Sequence, residues 1–368
     1  MNEHPWNLWL KNGDAQPWTP AIVEVLENLL KKAPQHPGIN HFYIHTMEAS
    51  RQAFKAIPAA DRLRDILPAA GHLVHMPSHI YIRTGLYHKG VIANEKASFS
   101  DSNYVAQCKT QGFYAMLLYP HNIHFLAACA FLEGNSRKAI DAAWNVSKKA
   151  DKRYIQENIT LQHYSIIPFH VLVHLAKWDD ILKLPMPDRA QRYPVSIWHY
   201  ARGEAFAAKG DIKKAEDELA QLQEIAKDEK TGSMLIWETN SAAQLLTIAH
   251  HVLSADIFAR KGKYDSSVHL LQAAVTLEDA LMYQEPPDWF FSVRHSLGYM
   301  LLKADRSEEA QKVYEEDLIN LPENGWSLIG LYNSLIEQKK MTEAEKVKKR
   351  FDKAWHWADI KINASRMF

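Results

Sequence analysis

The chain has 368 residues, of which 47% are hydrophobic and 23% charged, so it has ample apolar material for a buried core. Lysine plus arginine equals aspartate plus glutamate at 43 each, and this balance argues against nucleic acid or an anionic membrane surface as a partner. Its two cysteines, Cys108 and Cys129, argue against a disulfide framework and agree with a reducing compartment.

The first 36 residues are rich in Trp and Pro, and they predict a loop followed by one helix over 18–33. They contain no basic segment followed by an apolar run, so we expect no signal peptide. No later stretch approaches the roughly 18 apolar residues of a membrane span. We therefore expect a cytoplasmic protein with no membrane partner, and we interpret residues 1–36 as a separate segment, compatible with the remains of an upstream repeat.

From residue 37 onward, short turns recur between apolar stretches of helical period. They lie at 84–90, 133–139, 176–181, 209–215, 261–267, 303–310 and 338–344. In most of them a Gly or a polar pair ends one helix, and a small residue opens the next so that the two helices can pack closely. Ala310 and Ala344 are 34 residues apart, as are Ile181 and Ala215. The pattern predicts an all-α chain with essentially no strand.

These helix pairs resemble the tetratricopeptide repeat, in which two antiparallel helices occupy about 34 residues. The resemblance covers roughly residues 37–357 and implies a right-handed superhelical α-solenoid of seven or eight helix pairs. We divide this single continuous solenoid into histidine-rich repeats over 37–190 and C-terminal repeats over 191–368. Pro58 and Pro77 fall inside expected helices, and each must kink or restart its helix.

Three longer phrases are similar to a group of bacterial tetratricopeptide-repeat proteins. The phrases begin at His41 (HFYIHTMEAS), at Gly71 (GHLVHMPSHIYIRTG) and at Tyr119 (YPHNIHF). The resemblance implies the fold and no particular activity. Members of the group carry further helices upstream, so it also implies that this chain is a shortened form.

Histidine is unusually frequent, with 19 residues in the chain and 12 of them between His36 and His174. Many follow i+3, i+4 and i+7 spacings, which put side chains on one face of a helix. They recur at matching repeat positions, and the tetratricopeptide resemblance implies that these positions line the concave groove where ligands bind. The candidate metal ligands on this face are His41, His45, Glu48, His72, His75, His79, His121 and His124.

Neutral imidazole is the commonest nitrogen ligand of metals in proteins, and a site needs three or more converging ligands. His41 and His45 with Glu48 form one predicted triad, and His72, His75 and His79 form a second one repeat along. Such donors suit Zn, Cu, Fe, Ni or Mn, and the sequence does not choose among these metals. Two alternatives stay open: the rings bond one another and water in a wet groove, or they bind an organic ligand.

Further polar side chains in the same neighbourhood suit a small polar or anionic molecule, or a peptide carboxylate, in the concave groove. These candidate ligand-binding residues are Tyr81, Arg83, Tyr119, Asn122, His163, His170 and His174. The chain contains none of the common catalytic signatures, so any enzyme activity must use the histidine cluster itself, either with a metal that activates water or O₂, or with a histidine as general base and Glu48 as its partner. We therefore expect a groove that binds a transition metal or small polar ligand, with metal-dependent catalysis left open. The alternative is a non-enzymatic scaffold for a peptide or partner protein.

The second half of the chain predicts no comparable cluster. Its inner-face positions carry Tyr200, Glu204, Asp256 and His295, which share no residue type. Four tryptophans are predicted to pack between helices, namely Trp198, Trp237, Trp289 and Trp326. Residues 285–288 predict a rigid loop in which Asp288 caps the following helix.

Overall fold

The computed structural model describes residues 7–10, 13–228 and 230–367, and almost all of its regular structure is helical. The helices are α1 (Thr19–Lys32), α2 (Pro37–Met47), α3 (Ile57–Ile66), α4 (Gly71–His75), α5 (Pro77–Arg83), α6 (Tyr87–Cys108), α7 (Tyr119–Leu132), α8 (Ser136–Lys149), α9 (Ile159–His174), α10 (Trp178–Lys183), α11 (Arg192–Ala208), α12 (Ile212–Ala226), α13 (Lys230–Ser233), α14 (Ala242–Arg260), α15 (Tyr264–Ala280), α16 (Val293–Lys303), α17 (Ser307–Asn320), α18 (Gly325–Glu337) and α19 (Met341–Ala354). A 3-10 turn (Ala53–Ala56) precedes α3, and a π-helical turn (Tyr114–Leu118) precedes α7. Two short strands, β1 (Leu235–Ile236) and β2 (Asn240–Ser241), form an antiparallel hairpin.

The helices after α1 pack as successive pairs. The pairs are α2 with α3, α4 and α5 with α6, α7 with α8, α9 with α10, α11 with α12, α14 with α15, α16 with α17, and α18 with α19. Each pair also packs on the next pair along the chain. The predicted all-α solenoid of helix pairs is therefore confirmed. The hairpin of two-residue strands is a small exception to it. The predicted first helix over 18–33 corresponds to α1.

The turns place small residues where paired helices come closest, as predicted. Gly90 on α6 lies between two neighbours: a Cβ at this position would stand 3.8 Å from the Cβ of Ser78 on α5 of its own pair and 2.6 Å from the Sγ of Cys129 on α7 of the next pair. Ala139, Ala215 and Ala310 open α8, α12 and α17, and all three are fully buried. Asparagine and aspartate caps begin several helices; the Asn135 side chain, for example, accepts a hydrogen bond from the Lys138 amide.

Both unusual prolines restart a helix, as predicted. Helix α4 ends at His75 and α5 begins at Pro77, while Pro58 is the second residue of α3. Proline is tolerated in a first turn because the amide hydrogen that it lacks has no partner within the helix. The break at Pro77 lets His72 on α4 and His79 on α5 approach one site from different directions.

The stretch Tyr114–Leu132 is long and apolar enough to cross a membrane by length and composition, which the sequence analysis did not anticipate. Most of it is buried inside the protein. It comprises the π-helical turn and α7, which packs against α6 and α8. This stretch is thus a core helix of the solenoid.

The C-terminal helices return to contact the N-terminal half. Trp326 on α18 stacks on Phe131 of α7 with ring centroids 4.9 Å apart. The Tyr87 hydroxyl donates to the Pro322 carbonyl at 2.7 Å, and Arg83 donates to the Asn320 carbonyl at 2.7 Å. The repeats of a solenoid usually contact only their neighbours in the chain, and these contacts between the two halves are exceptions.

Two irregular segments of the chain run along the inner face formed by the first helices of the pairs. The connector, residues 281–292, joins α15 to α16, and the tail, residues 358–367, follows α19. Trp289 of the connector packs on His170 of α9, with ring centroids 5.1 Å apart. Arg366 of the tail forms ion pairs with Glu204 of α11 and Asp256 of α14. Much of the inner face is therefore covered by the chain itself.

Candidate functional site

A cavity of about 270 Å³ remains on the inner face of the N-terminal half. Helices α2, α4, α5 and α7 supply its polar wall, while the hairpin and the connector supply the opposite wall. The lining residues are His45, Glu48, His72, Phe113, His79, Leu118, His121, Trp237, Tyr283, Gln284 and Glu285. The cavity thus combines imidazoles with two carboxyl groups and aromatic side chains.

Six histidine rings form a continuous row along the polar wall. Neighbouring ring centroids are 5.2 Å apart for His72 and His41, 4.8 Å for His41 and His45, and 5.2 Å for His45 and His79. The row continues through His75 to His121, with 4.9 Å at each step. The structure therefore brings together six of the seven histidines predicted as metal ligands, from four different helices.

Glu48 lies at the middle of this row and is almost fully buried. Its Oε1 is 2.9 Å from the Nδ1 of His45, and its Oε2 contacts the Nδ1 of His79. Burial alone would raise the pKa of Glu48, but the attraction of His79 and His45 outweighs it and holds the pKa below its ordinary value. Glu48 is therefore a carboxylate that accepts hydrogen bonds from two rings.

The tautomer of His75 follows from its neighbour Asn94. The Nδ2 of Asn94 donates to the Gly90 carbonyl at 2.8 Å, so its Oδ1 faces the Nδ1 of His75 at 2.7 Å. Since an amide oxygen only accepts, we assign the proton of His75 to Nδ1. The same logic places the proton of His79 on Nδ1, which faces the Glu48 carboxylate. The Nε2 atoms of His75 and His79 lie 3.0 Å apart.

Burial keeps five of the six rings of the row uncharged. Desolvation lowers the pKa of His41 to about 3 and the pKa of His72 to about 4, and repulsion between the rings adds to it. The pKa values of His75 and His121 are lowered well below the ordinary value for the same reasons. Burial also lowers the pKa of His79, although Glu48 opposes the shift. Neutral rings offer lone pairs to a ligand.

Three groups of donor atoms, each with its atoms within 4.8 Å of one another, lie along the row. They are His41 with His45 and His72, His75 with His79 and His121, and His45 with Glu48 and His79. The sequence analysis grouped the same residues differently, because it assigned each triad to one repeat. In the structure the groups cross between helices, since His72 lies beside His41 of α2 and His79 contacts Glu48.

The remaining predicted histidines lie in the part of the inner face that the connector covers. His124 stacks on Phe290 with ring centroids 4.9 Å apart, and His174 packs on Phe291 at 4.1 Å. His163 is 3.0 Å from the Tyr193 hydroxyl through its Nδ1. These rings, with His170 on Trp289, are not brought to the cavity.

Of four other predicted ligand-binding residues, three have partners away from the cavity, and Arg83 contacts the cavity wall. The Tyr81 hydroxyl donates to Asp61 at 2.6 Å, and the Asn122 amide donates to Asp101 at 2.6 Å. Tyr119 is buried beneath the ammonium group of Lys149. Arg83 donates to the Glu48 carbonyl at 3.3 Å, as well as to the C-terminal half, so it braces the cavity from behind.

The sequence analysis missed the wall opposite the histidines. Trp237 was predicted to pack between helices, but it lines the cavity from the β1–β2 hairpin. Glu285 is buried, and burial raises its pKa to about 8 in spite of Arg83 nearby. Asp288 does not cap the next helix: its carboxylate accepts from Asn240, and Ser292 caps α16. No local signal marks Trp237 and Glu285, because the fold brings them to the histidines from more than 100 positions away in the chain.

No protein-family model matches the chain, and no curated protein sequence matches it. Among solved structures, the TPR domain of P58(IPK) is 12% identical, with a TM-score of 0.27, over 92% of this chain and 89% of that chain. Yeast Tom70 is 10% identical, with a TM-score of 0.29, over 93% and 92% of the two chains. The assembly chaperone of RpL4 (Acl4) is 13% identical, with a TM-score of 0.32, over 85% and 99%. With TM-scores this low, the fold rests on the packing of the helix pairs themselves.

Proposed function

We propose that the protein binds a divalent transition metal ion at His75, His79 and His121, beside Glu48. The observation that carries this proposal is the pair of Nε2 atoms of His75 and His79, which face each other at 3.0 Å. Because each ring gives its proton to a partner on the Nδ1 side, both Nε2 atoms carry lone pairs. Two facing lone pairs repel each other unless a cation lies between or beside them.

A metal ion fits this spacing. Zinc–nitrogen bonds are about 2.0–2.1 Å long, so two ligand nitrogens lie roughly 2.8–3.0 Å apart at octahedral angles and roughly 3.3–3.4 Å apart at tetrahedral angles. The third nitrogen of the group belongs to His121, within 4.8 Å of the other two donors. The acceptors on the Nδ1 side, Asn94 and Glu48, are the partners that metal-binding histidines usually have.

A shared proton is the competing explanation for the facing nitrogens. It would require one ring to be an imidazolium ion, but burial lowers the pKa of both rings below the ordinary value. At neutral pH a shared proton therefore explains the two facing Nε2 atoms less well than a metal ion does. The two explanations separate cleanly, because a protein with a shared proton binds no metal at this position.

The ligand set narrows the choice of metal. Imidazole nitrogen suits Zn, Cu, Ni and Fe, whereas Mn prefers carboxylates and water. Three protein ligands leave a coordination position for water or a small molecule, as in catalytic zinc sites. His79 and His121 both line the cavity. A small polar ligand in this cavity is therefore part of the proposal, and metal-dependent catalysis is its natural extension.

Metal analysis of purified protein tests the proposal. Protein without an affinity tag is treated with a chelator, reconstituted separately with Zn²⁺, Cu²⁺, Ni²⁺ and Fe²⁺, desalted and analysed by mass spectrometry. We expect at least one ion per chain, and loss of that ion in the His75→Leu/His79→Leu variant. The matched control is His170→Leu/His174→Leu, which removes one buried and one partly buried histidine at the same spacing and should keep the ion.

Circular dichroism shows whether each variant keeps its helical fold. Wild-type protein that takes up none of the four ions would overturn the proposal. So would a His75→Leu/His79→Leu variant that is folded and binds as much metal as the control.

The second candidate function is a scaffold that binds a peptide or partner protein, and helical-repeat folds commonly offer such surfaces. The observation in its favour is that the inner face of the C-terminal half already holds an extended segment, the tail. Arg366 of the tail is buried between Glu204 and Asp256. A peptide at this position must displace the tail. A fluorescence-labelled peptide of sequence 358–368 that binds a chain truncated after residue 357, but not the full chain, would support this candidate.

A further inference from the structure

We infer that the histidine row holds two metal ions side by side, one at His75, His79 and His121 and a second at His41, His45 and His72. This inference rests on the proposed function and extends it from one ion to a two-metal centre. The six rings of the row form two triads, and the donor atoms of each triad lie within 4.8 Å of one another.

Two buried nitrogens point to the second ion. The Nε2 of His41 and the Nδ1 of His72 are shielded from solvent, and neither has a hydrogen-bond partner in the part of the chain that the structure describes. Their rings are in edge contact, with centroids 5.2 Å apart. Buried polar atoms normally have partners, and several unsatisfied nitrogens at one place are costly. A metal ion bound by this triad satisfies them together.

Glu48 links the two triads. One of its oxygens contacts His45 of the second triad at 2.9 Å, and the other contacts His79 of the first triad. In metal sites a carboxylate of this kind accepts the Nδ1 proton, fixes the tautomer and leaves Nε2 as the ligating nitrogen. Here a single buried carboxylate fixes one ring in each triad. Its negative charge also offsets part of the repulsion between two neighbouring cations.

The separation of the triads is small enough for the ions to act together. His45 and His79, one from each triad, have ring centroids 5.2 Å apart, and both line the cavity. His72 and His121 also line it, so both triads border the same space. Two-metal sites bind one small ligand between their ions. The geometry therefore points to a ligand with an oxygen or nitrogen donor that contacts both ions in this cavity.

Stoichiometry and magnetic coupling test the inference. The full chain, without an affinity tag, is titrated with Cu²⁺, and bound copper is counted after desalting and examined by electron paramagnetic resonance. We expect two ions per chain with a spectrum changed by coupling between them. The His41→Leu/His72→Leu variant should bind one ion with an uncoupled spectrum, and His75→Leu/His121→Leu should do the same.

The outcomes separate this inference from the proposed function. One uncoupled ion in the wild type, lost from His75→Leu/His121→Leu but kept by His41→Leu/His72→Leu, would overturn the second site and leave the first. No bound ion in the wild type would overturn the proposed function itself. Two ions that both persist in folded His41→Leu/His72→Leu would show that the second ion binds elsewhere, and would also overturn the inference.

Discussion

The inner face of the solenoid carries histidine in two regions whose surroundings differ. In the cavity region, His75, His79 and their neighbours face one another around the buried carboxylate of Glu48. In the covered region, His170 and His174 face Trp289 and Phe291 of the connector. Both sets are buried, and burial lowers their pKa values in both regions.

The difference teaches that burial and repeat position do not make a histidine a ligand. What distinguishes the cavity region is the arrangement of partners: His45, His75 and His79 have acceptors on the Nδ1 side, and the Nε2 atoms of His75 and His79 face each other. In the covered region the histidine rings pack on aromatic side chains instead of on other histidines. A histidine packed there behaves as a moderately polar core residue, and its loss should affect packing more than binding.

The largest expected effect is acid unfolding of metal-free protein, to which both regions contribute. Burial lowers the pKa of His41, His163 and His170 to about 3 and of His72 to about 4, against 6.5 in an unfolded chain. Below pH 6.5 the unfolded chain therefore binds more protons, and the free energy of unfolding falls by about 1.4 kcal/mol per pH unit for each ring.

Buried carboxyl groups act in the opposite direction. Burial raises the pKa of Glu285 to about 8 and of Asp288 to about 7, so the folded chain holds more protons at these groups, and they stabilise it increasingly as the pH falls from about 8 to about 4. They are outnumbered by the buried histidines below pH 6.5. We expect urea unfolding, followed by circular dichroism at pH 7, 6 and 5, to show a steep fall in the free energy of unfolding. Zn²⁺ should reduce this fall, because it binds the histidines of the cavity region but not those of the covered region. Stability that stays constant down to pH 5 would contradict this assignment of neutral rings.

The next largest effect concerns the ion pairs that Arg366 of the tail forms on the inner face. Arg366 is buried with Asp256, whose pKa it lowers against the effect of burial, and with Glu204, whose pKa burial and Asp256 raise. Replacing Arg366 by methionine leaves Asp256 buried without its cation. We expect Arg366→Met to lower the free energy of unfolding by about 3–5 kcal/mol, measured by urea denaturation at pH 7.

The matched control is Arg137→Met, whose side chain is 88% exposed beside Asp359. It should cost less than about 1 kcal/mol, since exposed ion pairs contribute little. The metal content of folded Arg366→Met protein should stay unchanged, because the tail does not line the cavity. Loss of metal together with stability would mean that the two regions are coupled.

The fold could be predicted from the sequence because its signals are local. The turn before Gly90 and the alanines that open α8, α12 and α17 each report on a contact between adjacent helices. The residues of the candidate site could be named for the same reason, since His75 and His79 share one face by spacing alone. Their grouping could not, because it depends on the break at Pro77 and on the approach of α2.

The other half of the site depends on contacts between distant residues. Tyr283 and Glu285 reach the cavity only because the connector folds back along the inner face, and Arg366 reaches Asp256 because the tail does so too. An irregular segment has no periodicity from which its path can be predicted. Trp326 illustrates the limit: its packing role could be predicted, but its partner Phe131 lies 195 residues away.

A pair of single substitutions compares the two regions directly. His75→Phe removes a nitrogen that faces His79, whereas His170→Phe replaces a ring that already contacts Trp289. We expect His75→Phe to weaken metal binding by more than about 100-fold, because changes to outer partners alone cost 10–100-fold. His170→Phe should leave metal affinity unchanged and alter the free energy of unfolding by only about 1 kcal/mol. Isothermal titration with Zn²⁺ measures the metal affinity, and urea unfolding measures the free energy of unfolding. If His75→Phe and His170→Phe bind Zn²⁺ equally well, the two regions do not differ in metal binding.

The smallest effect concerns a residue that touches the proposed metal only through His75. Asn94 is fully buried and accepts the Nδ1 proton of His75. Asn94→Leu removes that acceptor, so the ring loses its fixed tautomer and orientation. We expect Zn²⁺ affinity to fall by about 10–100-fold, or roughly 1.4–2.7 kcal/mol. Asn94→Asp keeps an oxygen at the same place and should retain most of the affinity, although it gives up the bond to the Gly90 carbonyl. If Asn94→Leu and Asn94→Asp bind Zn²⁺ equally well, Asn94 serves helix packing alone, and the tautomer assigned to His75 loses its support.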